Sequence, residues 1–332
     1  MQSNLKIKNI ILGLAKATFA IGLLYWLYQK GVLDLNVIRL LFKPKLIITS
    51  ILMLTISFFI ATWRWKLLLR VQNLNLTLWE CFKLNLIGLF FNYVMPGGVG
   101  GDVVKGFYIV KDHPKNRMGA GMSVLLDRVM GLYAMLFLSL VSLLFNIEEI
   151  SKSSQLFLIT KGLIVGFIVF TSGLILAFSP KFRNWGWQSL INKFSLGQKL
   201  ISAYESVYSY SHNLKIIAGT IFLSLVAQIF AILLFWWMGQ NIGFQDIDIS
   251  TYFSVVPIGF MVTAVPISPA GVGVGQMAFF FLFNLFLGKE SQVGPAVITA
   301  FQVLNFLLGL FGVWFFIQKK NPLTEVEGCI GS

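Results

Sequence analysis

Cysteine, histidine and acidic residues are all scarce in this chain. Its 332 residues include two cysteines, Cys81 and Cys329, too far apart in sequence to suggest a disulfide framework. The two histidines, His113 and His212, fall in expected loops, and neither shows the spacing of a structural metal site. No metal and no other cofactor is therefore expected. Asp and Glu number 13 against 26 Lys and Arg, and charged residues make up only 12% of the chain, roughly half the share of a soluble domain. An ordinary soluble globule is excluded. Two glycine-rich stretches occur, but neither is a dinucleotide fingerprint: the third glycine position falls on Val103 in one and Gln276 in the other, and no strand precedes either. The pair Asp246 and Asp248 lies in an expected external loop, where nucleotide-activated donors are scarce, and no catalytic residue is assigned.

What the chain has in abundance is apolar sequence. Hydrophobic residues make up 57% and the mean hydropathy is +0.79. The expected class is an all-α polytopic transmembrane helical bundle. The net charge of +13 could point to nucleic acid, but the basic residues cluster in short loops between apolar runs. That pattern reports topology rather than a polyanionic partner. Spans are expected at about 10–28, 46–63, 121–145, 158–178, 216–238 and 296–317, within a single domain over 1–320 and ahead of a short tail at 321–332. Residues 180–215 read as a cytoplasmic amphipathic segment carrying Lys181, Arg183, Lys193, Lys199, Lys215, Trp185 and Trp187. Lys319 and Lys320 place the C-terminus inside. Residues 29–45 are basic yet read as external, against the charge rule, and Leu35 to Phe42 could lie along the surface.

Two stretches interrupt this pattern. Residues 92–111 read NYVMPGGVGGDVVKGFYIVK, and residues 263–283 read TAVPISPAGVGVGQMAFFFLF. Each has a proline, then Gly-Val-Gly, then a polar residue opening an apolar helix. Proline removes a backbone donor and glycine disfavours helix, so each stretch should break. A break within a bilayer survives only packed in protein or facing a wet cavity. The arms, about 78–110 and 252–287, are short for spanning helices. Lys83 ahead of the first, and Lys111, Lys115 and Arg117 after it, put both its ends on the cytoplasmic side. The second has no Lys or Arg; it fits a hairpin entering from outside, with two full spans as the alternative. The pair reads as two re-entrant hairpins of an inverted repeat, the arrangement that places transporter sites near the midplane.

The candidate substrate-binding residues follow from this. They are Asn92, Pro96, Gly98, Gly100, Gly101, Asp102 and Lys105 in the first break, and Pro269, Gly271, Gly273 and Gln276 in the second. Asp127 and Arg128 join them, because charge at the bilayer centre costs about 2.5–3.5 kcal/mol per residue; pairing Asp102 with Arg128 and Asp127 with Lys105 would relieve that cost. Arg64, within Trp63-Arg64-Trp65-Lys66, reads as an interface anchor, with a lipid-phosphate contact as the functional alternative.

Asn92-x-x-x-Pro96-Gly-Gly-x-Gly-Gly-Asp102, Leu126-Asp127-Arg128 with Gly131, Trp63-Arg64-Trp65 and Pro269-Ala-Gly-Val-Gly together resemble the lysylphosphatidylglycerol synthase transmembrane region. This flippase-like family includes the N-terminal half of the multiple peptide resistance factor. The resemblance covers roughly residues 10–318. It implies a bacterial or archaeal cytoplasmic-membrane protein with two re-entrant helices. It also implies movement between leaflets of a lipid with a modified head group, such as aminoacylated phosphatidylglycerol, or of a lipid-linked precursor. The implied partners are an anionic or zwitterionic lipid substrate and a lipid-modifying enzyme. With the sequence ending at Ser332, the fused proteins' aminoacyl-transferase domain is not expected here, and the family commonly has an acidic residue where Gln276 stands. The competing classes are a membrane-embedded lysyl- or glycosyl-transferase, with Asp102 or Asp127 as base or metal ligand, and a non-catalytic accessory subunit.

Overall fold

A computed structural model describes residues 43–95, 99–145, 153–192 and 196–318, with 22, 25, 29, 150 and 194. Nearly all of the expected 10–28 span, most of 29–45, residues 96–98 and the 321–332 tail lie outside the described residues. Every regular element among the described residues is helical. In chain order these are α1 (Pro44–Val71), α2 (Leu78–Val94), α3 (Gly100–Asp112), α4 (Arg117–Leu144), α5 (Ser154–Phe178), α6 (Pro180–Arg183), α7 (Trp187–Ile191), α8 (Gly197–Tyr208), α9 (Leu214–Asn241), α10 (Ile249–Thr263), α11 (Val274–Leu287) and α12 (Val293–Gln318). Short 3-10 turns at Pro114–Asn116, Ser209–Asn213 and Pro269–Gly271 join some of them.

Helix starts follow local chemistry. Thr77-Leu-Trp-Glu80 forms a capping box: the Thr77 amide donates to Glu80 Oε2 at 2.7 Å and the Glu80 amide to Thr77 Oγ1 at 3.2 Å. Asn116 Oδ1 accepts from the Gly119 amide at 3.0 Å and starts α4, and Ser153 accepts from the Leu156 amide at 3.3 Å and starts α5.

Six helical segments among the described residues are long and apolar enough to cross a membrane by length and composition. They are Pro44–Val71, Pro114–Leu144, Ser154–Phe178, Gly197–Asn241, Pro269–Leu287 and Val293–Gln318. The last but one includes the 3-10 turn ahead of α11, so the second break is compatible by length with a span as well as with a hairpin. The helices flanking the breaks are short: α2 has 17 residues, α3 13, α10 15 and α11 14. At 1.5 Å per residue these run about 20–25 Å, against about 30 Å of hydrocarbon.

The chain divides into two compact units interleaved in sequence. One comprises Met1–Phe58, Phe82–Lys105 and Ile229–Ser332; the other comprises Phe59–Cys81 and Gly106–Gln228. The boundaries fall inside α1, α2, α3 and α9. In the first unit, α10 and α11 form an antiparallel hairpin: Thr263 meets Gly271 and Gly275 near the turn, and Gly259 meets Phe279 further away. An aromatic core of Phe235, Phe260, Phe279 and Phe301 holds it, with ring centroids 5.0–6.1 Å apart. Gly309 and Gly312 of α12 bring that helix against the backbone of α2 at Phe90 and Leu86. In the second unit, Leu68, Leu126, Met130, Tyr210 and Ile217 form the buried centre.

Candidate functional site

The first break lies in the first unit. Residues 96–98, including Pro96 and Gly98, are outside the described residues, but both rims are defined. Two of the candidates, Asn92 and Gly101, close on one another. The Gly101 amide, at the start of α3, donates to Asn92 Oδ1 of α2 at 2.9 Å, which satisfies one of the four orphan donors of a helix N-terminus. Gly101 is buried against Gly88, and a Cβ there would collide with the Gly88 carbonyl. A Cβ at Gly100 would strike Met95 and come within 2.8 Å of the Phe91 carbonyl oxygen. The glycines are therefore required by helix-to-helix approach. Gly88 gave no signal in the sequence, since it sits inside an apolar run with no neighbouring breaker.

Asp102 follows in the first turn of α3, half-buried, where the helix dipole favours an anion. Lys105, three residues on, is only 5% exposed. The two share a helix face by spacing.

The second break also lies in the first unit. Ala270, Gly271 and Gly273 all have positive φ (47°, 70° and 83°), a conformation that suits glycine and strains alanine. Pro269 opens the 3-10 turn and its carbonyl accepts from the Val272 amide at 2.9 Å. Gln276 is 1% exposed and fully engaged. Its Oε1 accepts from the Gly273 amide at 2.7 Å, and its Nε2 donates to Thr299 Oγ1 at 3.0 Å and Gln302 Oε1 at 2.8 Å. Gln302 Nε2 donates in turn to the Ala270 carbonyl at 3.3 Å, and its own carbonyl accepts from Tyr93 Oη at 3.0 Å. Gln276 is thus a brace of the break, with no amide hydrogen left over. An acidic residue there would still accept from Gly273 but could not donate to both α12 partners. Gln302 was missed in the sequence reading; a glutamine inside an apolar 26-residue helix was the available signal.

The two breaks share one device. A side-chain amide oxygen, from Asn92 before the turn and from Gln276 after it, accepts from a glycine amide at the start of the second helix. Replacing Gln276 by Leu leaves the buried Gly273 amide without its acceptor. Each such orphan costs about 1–3 kcal/mol, so Gln276→Leu is expected to lower the detergent-solubilised melting temperature by several degrees. An unchanged melt would show that the brace carries no stability.

The second unit holds the remaining charged candidates. Arg64 is 9% exposed, and its Nε lies 2.8 Å from Asp127 Oδ1. Its Nη1 donates to Ser224 Oγ at 3.1 Å, and Ser224 donates back to the Thr220 carbonyl at 2.7 Å. Gly131, one turn beyond Asp127, lies beside the guanidinium; a Cβ there would stand 3.4 Å from Nη1, an ordinary van der Waals contact. Trp65 is completely buried, its indole donating to Ser123 Oγ at 3.3 Å. The interface-anchor expectation for Trp63-Arg64-Trp65-Lys66 is corrected in part. These residues lie within α1, which runs on to Val71, and only Trp63 of the two tryptophans is exposed. Periodicity puts Arg64, Trp65, Leu68 and Gln72 on one helix face, and the sequence reading did not use it. Arg128 is half-buried, and adjacent residues on a helix do not face each other.

No group of three or more His, Cys, Asp or Glu that could hold a metal occurs among the described residues. Apolar helices of spanning length, two glycine-broken turns and a buried ion pair define a polytopic α-helical membrane protein. The chain belongs to the family described as the lysylphosphatidylglycerol synthase TM region, which it matches over residues 10–312. It is similar to two curated proteins of Methanocaldococcus jannaschii. UPF0104 membrane protein MJ1595 is 22% identical over 278 residues, covering 80% of this chain and 81% of the relative. UPF0104 membrane protein MJ1078 is 24% identical over 247 residues, covering 71% and 97%. No solved structure matches the chain.

Proposed function

We propose that this protein moves a lipid with a modified head group, or a lipid-linked precursor, between the leaflets of a bacterial or archaeal cytoplasmic membrane by alternating access. The observation that carries the reading is the first hairpin. There a helix opens on Gly100, Gly101 and Asp102 and buries Lys105. A helix N-terminus with a lysine beside it suits a phosphate, and Asp102 suits the ammonium of an aminoacyl group. Arg128, half-buried on α4, is the second phosphate candidate, since guanidinium binds phosphate through two parallel hydrogen bonds. Both hairpins are taken as re-entrant, with the C-terminus cytoplasmic. Two polar breaks in corresponding positions of an apolar chain are the arrangement expected of such a carrier. A separate lipid-modifying enzyme is the natural partner, supplying the modified head group.

The test is leaflet accessibility in proteoliposomes. It uses head-group-labelled phosphatidylglycerol, its lysyl ester and a polyprenyl phosphate, with wild type beside Asp102→Asn. Movement of one of these lipids, lost in folded Asp102→Asn, supports the reading. Movement of none by folded wild type defeats it for these lipid classes. In the same assay Arg128→Ala is expected to cut transport about tenfold, the loss of one charge-assisted contact of about 1.5 kcal/mol, with expression intact. Unchanged transport removes Arg128 from the site.

A further inference from the structure

Between α5 and α9 the second unit carries three short helices, α6, α7 and α8, of 4, 5 and 12 residues, each by itself too short to span a bilayer, the last running on through the Ser209–Asn213 turn into α9. This segment is fastened to the unit. Gln72 Nε2 donates to the Ser206 carbonyl at 2.7 Å and to Ser209 Oγ at 3.0 Å, and the fully buried Tyr210 donates to the Leu68 carbonyl at 3.1 Å. An aromatic ladder stiffens it, with Phe182 on Trp187, Trp187 on Tyr204 and Tyr204 on Tyr208 at centroid distances of 4.9–6.1 Å. Arg183 Nη2 pairs with Glu205 Oε2 at 3.0 Å, and its guanidinium sits 4.7 Å from the Tyr208 ring centre. That pair consumes the acidic charge of the segment.

The segment turns large apolar side chains and lysines outward, beside neutral polar ones. Trp185, Phe194, Leu196 and Leu200 are 77%, 72%, 60% and 56% exposed. Lys181, Lys199 and Lys215 are exposed as well. Between α7 and α8 lies a groove of about 420 Å³ lined by Gln188, Asn192, Gln198, Ile201 and Ser202, that is, by three amides, a hydroxyl and one apolar side chain, with the Gln188 amide donating to Glu205 Oε1 at 3.1 Å. Water offers no gain to four large apolar side chains held out on a rigid platform. The boundary between acyl chains and head groups does, and it lets lysines reach the phosphates above.

We propose that the 180–215 segment is a docking platform for an anionic phospholipid whose head group carries hydroxyls. The three lysines face its phosphate, the groove amides bond its hydroxyls, and the exposed aromatic and leucine side chains lie among its acyl chains. This binding does not require transport and is measured without it.

The experiment is native mass spectrometry of protein released from nanodiscs made of equal phosphatidylglycerol and phosphatidylcholine. Wild type is expected to retain phosphatidylglycerol in preference. The triple variant Lys181→Gln, Lys199→Gln, Lys215→Gln is expected to lose that preference, each lysine contributing on the order of fivefold by its attraction to anionic lipid. Gln198→Leu is expected to reduce phosphatidylglycerol retention severalfold while phosphatidylcholine retention and the melting curve stay unchanged, a combination that general destabilisation does not give. A fluorophore on Phe194→Cys, in a Cys329→Ser background, should be quenched by lipids brominated near the head group. Equal retention of both lipids by wild type overturns the proposal. So does a label at position 194 quenched only by aqueous iodide, which would mark the platform as a surface for a soluble protein instead.

Discussion

Asp127→Ala is expected to destabilise the protein by about 3–5 kcal/mol, the cost of leaving one member of a buried ion pair without its partner. The side chains of Arg64 and Asp127 are 10% and 12% exposed. Without Asp127, the Arg64 guanidinium keeps, among the described residues, the Ser224 hydroxyl at 3.1 Å, and a neutral hydroxyl does not balance a buried charge. The melting temperature in detergent should fall by more than for any other single substitution on α4. The double variant Arg64→Met, Asp127→Leu separates charge from packing. It removes both charges at similar volume, and such replacements of buried pairs are often neutral or stabilising. A double variant more stable than Asp127→Ala confirms that the pair's two halves depend on each other. If it is equally unstable, the damage lies in packing and the charge argument fails. If the double variant is stable yet inactive in the liposome assay, the pair serves transport rather than folding.

Gly101→Val is expected to cost about 3 kcal/mol or more, the upper part of the range for overpacking a tight interior, and to abolish lipid movement. A Cβ at this position meets the Gly88 carbonyl, which is backbone and cannot rotate away, and would stand 2.8 Å from Asn92 Oδ1. The helices must part, and the Gly101 amide then loses its acceptor. Gly106→Ala, five residues along the same helix, is the control, because a Cβ there meets nothing within 4 Å. It should be neutral or slightly stabilising, by up to about 1 kcal/mol of helix propensity. Equal melting temperatures for Gly101→Val and wild type would mean that α2 and α3 do not approach closely at this turn.

These two cases show how far the sequence reading reached. It recognised the family from Asn92-x-x-x-Pro96-Gly-Gly-x-Gly-Gly-Asp102, Leu126-Asp127-Arg128 with Gly131, Trp63-Arg64-Trp65 and Pro269-Ala-Gly-Val-Gly, and the family match over residues 10–312 bears that out. It assigned Gln276 to the substrate, whereas the structure uses the Gln276 side chain to brace its own turn. It put Arg64 at a helix end, whereas α1 continues to Val71 and turns Arg64 inward. Such assignments depend on which residues from distant parts of the chain lie opposite, and spacing along one helix does not contain that information.

The sequence by itself determined the class and the segmentation. A chain with 57% hydrophobic and 12% charged residues must bury apolar helices away from water, and proline with clustered glycine must break two of them. Both follow from local backbone chemistry and composition. The tertiary structure decided the partners. Asp127 faces Arg64 because the fold sets α1 and α4 side by side, with Ser224 of α9 taking a second guanidinium hydrogen. Gly88, without any distinguishing local signal, sets how closely α2 and α3 approach because it lies across from Gly101. The interleaving of two units within α1, α2, α3 and α9 was likewise invisible in the sequence, because a continuous apolar helix carries no mark where its packing neighbours change.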